Sequence, residues 1–211
     1  MTRPRIKICG VTRAEDALLA VQLGADALGF VLWDGSPRAV RARVAAVIRE
    51  RLPPYVTRVG VVVNMSPSEV STLAKVGRFD AIQLHGDEDL DRYAALEPRL
   101  VRSVALETSA DVQRALDLPP AVTVIVDAAD RQKKGGTGHR ANWSLAAELA
   151  RIRPVILAGG LTPSNVREAI EQVSPWAVDV SSGVEASPGV KDPRLMESFF
   201  RAANGEPRAA D

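Results

Sequence analysis

The sequence predicts a single (β/α)8 barrel, an α/β fold with parallel strands inside and helices outside. Three observations predict it. Short, nearly continuous apolar runs rich in β-branched residues recur roughly every 26 residues along the 211-residue chain, as expected of parallel strands covered on both faces. A helix-length amphipathic segment follows each run, several of them opened by a recognisable start signal. No strand–turn–helix carries the Gly-x-Gly-x-x-Gly fingerprint of an open doubly wound sheet, the competing architecture.

The eight runs are residues 6–9, 27–32, 58–63, 81–84, 100–104, 122–127, 155–158 and 177–180. Between the first two, Thr12 precedes a helix over 13–23, whose Glu15 and Asp16 place negative charge in the first turn, where the helix dipole favours it. A second helix is expected over 44–51. Ser66-Pro67-Ser68-Glu69 combines an N-cap serine, a proline at the first helical position and a glutamate three residues on, a capping box ahead of Val70, Leu73, Ala74 and Val76. Further helices are expected over 89–96, 110–116 and 144–151. Thr162-Pro163-Ser164-Asn165 opens the next in the manner of the capping box, with Val166, Ala169, Ile170 and Val173 as its buried stripe. Asp192-Pro193 opens the last, which carries Leu195, Met196, Phe199 and Phe200. No linker or composition shift divides the chain. Residues 1–203 form the barrel, smaller than the usual ~250 residues, and 204–211 are expected to be a disordered tail.

Bulk properties narrow the partners. The chain is 46% hydrophobic and 25% charged, and its 27 Lys and Arg balance 26 Asp and Glu to a net charge of +1. The basic stretches around Arg38-Ala39-Val40-Arg41 and Arg131-Gln132-Lys133-Lys134 are short and interrupted, so neither nucleic acid nor a membrane surface is an expected partner. Cys9 is the only cysteine, which excludes an intramolecular disulfide and suits a reducing compartment. No apolar run approaches the ~18 residues needed to span a bilayer, and the charged N-terminus is followed by too short an apolar stretch for a signal peptide. The expected location is the cytoplasm.

In such barrels the chemistry gathers at the C-terminal strand ends. Those positions hold Lys7-Ile8-Cys9-Gly10, Trp33-Asp34-Gly35-Ser36-Pro37-Arg38, Gln83-Leu84-His85-Gly86, Asp127 with Gly135-Gly136-Thr137-Gly138, Gly159-Gly160, and Asp179-Val180-Ser181-Ser182-Gly183. Gly159-Gly160 and Ser181-Ser182-Gly183 follow the seventh and eighth strands, where this fold commonly binds phosphate through backbone N–H groups. A phosphorylated small molecule is the expected ligand; tight turns that merely need glycine are the bland alternative. Cys9 reads either as a small buried residue or, beside Lys7, as a thiolate base or nucleophile. Asp127, closing an apolar strand, suits general acid–base work or a loop cap. Arg38 reads as a bidentate anion clamp or an exposed loop residue; His85 as a substrate contact or a hydrogen-bonded rim histidine; Trp33 as an aromatic wall or loop packing. With His85 and His139 the only histidines, no metal cluster is expected.

Taken in order, Lys7-Ile8-Cys9-Gly10, Glu15-Asp16-Ala17, Gly24-Ala25-Asp26-Ala27, Ser36-Pro37-Arg38, Val59-Gly60-Val61, Gln83-Leu84-His85-Gly86, Gly135-Gly136-Thr137-Gly138, Leu157-Ala158-Gly159-Gly160-Leu161, the block from Val178 to Glu185 and Pro188-Gly189-Val190-Lys191-Asp192 resemble the phosphoribosylanthranilate isomerase family of the tryptophan pathway. The resemblance implies an Amadori rearrangement of N-(5-phosphoribosyl)anthranilate to 1-(2-carboxyphenylamino)-1-deoxyribulose 5-phosphate, without cofactor or metal. It implies Asp127 as the general acid that opens the ribose ring and Cys9 as the base that removes the proton from sugar carbon 2. Arg38 matches the residue that engages the anthranilate carboxylate, Gly159, Gly160, Ser181, Ser182 and Gly183 match the phosphate grip, and His85 and Asp179 match positions lining the sugar. A working base implies a lowered Cys9 pKa or a shared proton inventory. The expected state is a monomer or homodimer.

Ala141-Asn142-Trp143 departs from the family's common Phe-Asp-Trp, although Asn142 can still cap the helix that follows. The alternatives are another sugar-phosphate barrel or a non-catalytic phospho-ligand-binding barrel. Epimerase relatives need metal-ligand histidines on several strands, and histidine-pathway relatives place an acid where Cys9 stands.

Overall fold

Eight parallel strands close on themselves in sequence order, the first hydrogen-bonded to both the second and the eighth. The computed structural model describes residues 3–127 and 141–206. Within them the order is β1 (Arg5–Ile8), α1 (Ala14–Gln22), β2 (Ala27–Val31), α2 (Ala42–Arg49), β3 (Thr57–Val62), α3 (Pro67–Gly77) and β4 (Ala81–Leu84). A single 3-10 turn (Leu90–Tyr93) leads to β5 (Arg99–Ala105), α4 (Ser109–Leu116), β6 (Thr123–Asp127), α5 (Trp143–Ala150), β7 (Val155–Leu157), α6 (Val166–Val173) and β8 (Ala177–Val180). After a second 3-10 turn (Ser182–Val184) come a small antiparallel hairpin, β9 (Glu185–Ser187) with β10 (Val190–Lys191), and α7 (Pro193–Ala203).

The expected (β/α)8 barrel is therefore present, and strands four and eight have the expected bounds. The glycine loop 135–138, the basic stretch 131–134, His139 and the tail beyond Glu206 lie outside the described residues.

Two apolar layers hold the barrel. Val59, Ala81, Val101, Ile125, Ile156, Ala158 and Ala177 fill its interior. The larger layer lies between strands and helices, with Phe30, Phe199, Leu28, Ile82, Leu149 and Met196 fully buried. Each such side chain contributes about 1.5–3 kcal/mol on burial. Small and β-branched residues inside, bulkier ones outside, follow from the narrow bore of an eight-stranded barrel.

The N-terminal rim is stapled by polar side chains. Asp26 accepts from Ile6 N at 2.8 Å, Asp80 accepts from Arg58 N at 2.8 Å, and Arg153 donates to the Ala115 and Val122 carbonyls at 2.7 and 2.6 Å. These bonds close the rim where the fold conserves stability rather than chemistry.

Three local expectations change. The helix expected over 89–96 is one 3-10 turn: Glu88 latches the preceding loop by accepting from Asn64 N, Gly86 N and Arg102, so only a short segment remains before Pro98 and β5. The seventh-unit helix starts at Val166 rather than at Thr162, because Asn165 folds back to Thr162 N (2.8 Å) and the Gly160 carbonyl (2.9 Å) and shapes a loop instead. Leu195 is exposed, while Met196, Phe199 and Phe200 form the buried face of α7. The capping box at Ser66 and Glu69, the Asn142 cap on α5 and the Asp192 cap on α7 form as expected.

Candidate active site

Alternation along the strands decides which side chains enter the barrel mouth. Lys7 pairs in register with Asp179, Val61 with Gln83, and Asp127 follows Ile125 of the inner layer by two residues. Lys7 and Cys9, Gln83 and His85, Asp127 and Asp179 consequently share the mouth.

Lys7 Nζ lies 2.8 Å from Asp179 Oδ2 and 3.2 Å from Gln83 Oε1, all three residues being buried. Because the Gln83 oxygen accepts from Lys7, its amide nitrogen donates to His85 Nδ1, 3.2 Å away. That bond leaves the histidine proton on Nε2, which faces Asp127 Oδ2 at 3.7 Å. The donors thus run in one direction from Lys7 through Gln83 to His85, whose Nε2 is turned toward Asp127. Burial pushes the His85 pKa down against the pull of Asp127.

Cys9 sits at the end of β1 with its sulfur over Gly29, partly open to solvent. A Cβ at Gly29 would come within 2.8 Å of Cys9 Sγ and 3.2 Å of Lys7 Cε, so only glycine lets both reach this spot. Burial would depress the Lys7 pKa, but Asp179 and Cys9 overturn this and raise it well above the ordinary lysine value. The Cys9 thiol is pushed up, chiefly by burial and also by Asp179, against the opposing charges of Lys7 and Lys191. Of the two expectations for Cys9, a lowered pKa or a shared proton inventory, the first is opposed by its surroundings: desolvation outweighs the nearby cations.

Arg38 is neither exposed nor free. Glu185 on β9 grips it with Nε at 2.8 Å and Nη2 at 2.7 Å. Lys191 on β10 is fully buried, and its Nζ donates to Glu185 (2.8 Å) and to the carbonyls of Cys9 (2.6 Å) and Ser181 (3.2 Å). Asp16 accepts from Lys191 N and from Arg13, locking the hairpin to α1. Burial would raise the Glu185 carboxyl, but Arg38 and Lys191 hold it below the usual range.

At the neighbouring turns, Gly159 and Gly160 take φ of 81° and 65°, a left-handed pair that L side chains resist. Any Cβ on Gly183 would collide with the Leu161 carbonyl, so the turns after β7 and β8 are packed against each other. Ser181 and Ser182 stand beside them, half-buried. Trp33 folds its ring back over Gly35 within its own loop. Among the described residues no group of three or more His, Cys, Asp or Glu could hold a metal ion, and no helix is long and apolar enough to cross a membrane.

Glu185, Lys191, Gln83 and Glu88 had no role assigned from sequence. A signal was there for Lys7 and Gln83: each interrupts an apolar strand at an inward-facing parity, where an unpaired charge or amide would be costly. For Glu185 and Lys191 no local pattern exists.

The fold and the titratable groups at its mouth define a (β/α)8 enzyme equipped for acid–base chemistry. The family model for N-(5'-phosphoribosyl)anthranilate (PRA) isomerase matches residues 6–202. The N-(5'-phosphoribosyl)anthranilate isomerase of Geobacter sulfurreducens is 46% identical, over 95% of this chain and 98% of that one. The enzyme of that name from Pseudomonas fluorescens is 43% identical, over 96% and 99%. Among solved structures, phosphoribosylanthranilate isomerase from Thermotoga maritima superposes with a TM-score of 0.87 at 40% identity, covering 96% of this chain and 99% of that one. A phosphoribosylanthranilate isomerase in complex with reduced 1-(o-carboxyphenylamino)-1-deoxyribulose 5-phosphate gives 0.84 at 40% identity, with the same coverage. The chain belongs to the phosphoribosylanthranilate isomerase family, the isomerases of tryptophan biosynthesis.

Proposed function

We propose that this isomerase works by two-residue acid–base catalysis, with Asp127 as acid and Cys9 as base. Asp127 protonates the furanose ring oxygen of N-(5'-phosphoribosyl)anthranilate and the ring opens to a Schiff base. Cys9 takes the proton from sugar carbon 2, giving an enolamine that tautomerises to the ketone product. Arg38 engages the anthranilate carboxylate, His85 and Asp179 line the sugar, and Gly159, Gly160, Ser181, Ser182 and Gly183 hold the phosphate.

The observation that carries the reading is the line of polar side chains across the mouth. Asp127 Oδ2 lies 3.7 Å from His85 Nε2, His85 is hydrogen-bonded to Gln83 and Gln83 to Lys7, whose charge opposes the rise of the Cys9 pKa. Ring opening needs a proton donor and enolisation a proton acceptor in one pocket, and this chain puts the two groups in electrostatic communication. The product analogue bound by the related enzyme supports a ligand of the same phosphorylated class here. A dimeric relative from Thermotoga maritima makes a homodimer the association to look for by sedimentation, and a biosynthetic isomerase of this kind belongs in the cytoplasm.

The test follows the fluorescence of phosphoribosylanthranilate as it decays on isomerisation. Turnover is expected without added metal and falls by about 100-fold or more in Cys9→Ser and in Asp127→Asn. Undiminished turnover in both variants removes the assignment.

A further inference from the structure

We infer that Lys7 is the positioning residue that holds Cys9 ready to act as a base, its ammonium clamped by Asp179 and Gln83 so that the remaining N–H serves the thiolate. The inference rests on the reading of Cys9 as the base. An ammonium has three donors and no acceptor. Asp179 Oδ2 at 2.8 Å and Gln83 Oε1 at 3.2 Å take two of them. The third is left for Cys9, whose sulfur and the Lys7 methylenes share the space that Gly29 leaves open, and the Lys7 charge opposes the rise of the Cys9 pKa.

Packing alone does not account for a cation here. The Lys7 and Asp179 side chains are 4% and 8% exposed. Taking both charges out of water is costly before their attraction is counted, and an apolar pair of similar volume is commonly as stable or more so. The interior layer beneath them is wholly apolar. Gly29 supplies the missing space, since any side chain there would drive the Cys9 sulfur and the Lys7 methylenes apart.

Asp179 completes the device. Its Oδ1 is buried and has no hydrogen-bond partner among the described residues, an expensive state for a carboxylate oxygen. A substrate hydroxyl donating to Oδ1 satisfies it and draws carboxylate charge away from Lys7. More of the ammonium's field then falls on the sulfur. The charged groups that bear on the thiol are Lys7 on its own strand, Asp179 from β8 and Lys191 from the hairpin. In the reaction the thiolate takes the carbon-2 proton and becomes the thiol, the electron pair moves into the enolamine, and Lys7 stays an ammonium throughout.

Cys9 is the only cysteine in the chain, so alkylation of the folded protein by iodoacetamide, followed by intact mass, reports this sulfur alone. The rate is measured against pH in the wild type, Lys7→Met, Lys7→Arg and Asp179→Asn, each checked for a cooperative thermal transition. In Lys7→Met the titration midpoint moves up by about one pH unit or more, slowing alkylation near neutrality roughly tenfold. In Asp179→Asn it moves down, and Lys7→Arg stays near the wild type. Loosened packing would instead speed alkylation in every variant without opposite shifts. An unmoved midpoint in folded Lys7→Met, or shifts of the same sign in Lys7→Met and Asp179→Asn, overturns the inference. Should Lys7→Met not fold, the direction of the Asp179→Asn shift decides. Full turnover in Cys9→Ser would remove the base assignment while leaving these shifts intact, so the two failures are distinguishable.

Discussion

Arg38 and Glu185, 147 residues apart in sequence, meet through three hydrogen bonds: Nε at 2.8 and 3.1 Å from the two carboxylate oxygens, and Nη2 at 2.7 Å. The planar guanidinium is thereby fixed in orientation, and Nη1 is the corner that Glu185 leaves unengaged. Glu185 also receives Lys191 Nζ at 2.8 Å and Gly189 N at 3.3 Å, so one carboxylate ties the loop after β2 to the hairpin after β8.

Removing that carboxylate strands two buried cations. Glu185→Ala is expected to cost about 3–5 kcal/mol, the usual penalty for breaking a buried pair, measured by urea unfolding. Glu185→Gln costs less, and because Arg38 is then free to swing, KM rises more than kcat falls. A wild-type urea midpoint for Glu185→Ala would refute the account of the pair.

Acid should weaken the same contact. The Glu185 carboxyl titrates below its ordinary value because Arg38 and Lys191 outweigh its burial. A group whose folded pKa is depressed contributes its stability in full above the unfolded value, about 4.3 for glutamate, and loses it as pH falls through the folded pKa. The acid limb of the wild-type stability curve is therefore steeper below pH ~5 than that of Glu185→Gln. Parallel limbs would sink this expectation.

His85 Nε2 lies 3.7 Å from Asp127 Oδ2, and its ring is oriented by Gln83. His85→Phe keeps the bulk of the ring and removes its Nε2–H, so kcat is expected to fall by up to about a hundredfold, the scale of a misplaced catalytic group. Gln83→Leu should show a smaller loss of the same kind, since the ring then lacks a partner for Nδ1. Unaltered kcat in both would mean that the chain across the mouth has no catalytic consequence.

The turns after β7 and β8 touch where Gly183 meets the Leu161 carbonyl. Gly183→Ala forces them apart and widens the proposed phosphate cradle. Inorganic phosphate, used as a competitive inhibitor, should then bind about tenfold more weakly, corresponding to about 1.4 kcal/mol. Equal inhibition constants for the two proteins would place the phosphate elsewhere.

As a control remote from the mouth, Ser66→Ala removes the N-cap of α3, whose hydroxyl and Glu69 form a closed capping box. It should lower stability by about 1 kcal/mol and leave turnover unchanged.

Counting strands in the sequence places Cys9, Asp127 and the paired glycine turns at strand ends, while the roles proposed for them come from the family resemblance. The helix expected over 89–96 was misread because its pattern is local, whereas what shortens it is not: Glu88 spends its carboxylate on Asn64, Gly86 and Arg102 from three directions. Arg38 could be named as a clamp but not seen to be already clamped, and the upward push on the Cys9 pKa arises from desolvation at the closed barrel's mouth, which no local pattern shows.

By itself the sequence determined the strands, the caps and the barrel, since apolar periodicity, β-branching and N-cap chemistry act within a few residues of each other. It also ordered the strand ends and so placed Cys9 and Asp127 at the mouth. Only the tertiary structure decided which charges meet. Lys7 reaches Asp179 across 172 residues and Lys191 reaches the Cys9 carbonyl across 182, because barrel closure sets the first and last strands side by side. Electrostatic partners and the pKa shifts they cause depend on distance and desolvation, and neither quantity exists until the chain has closed.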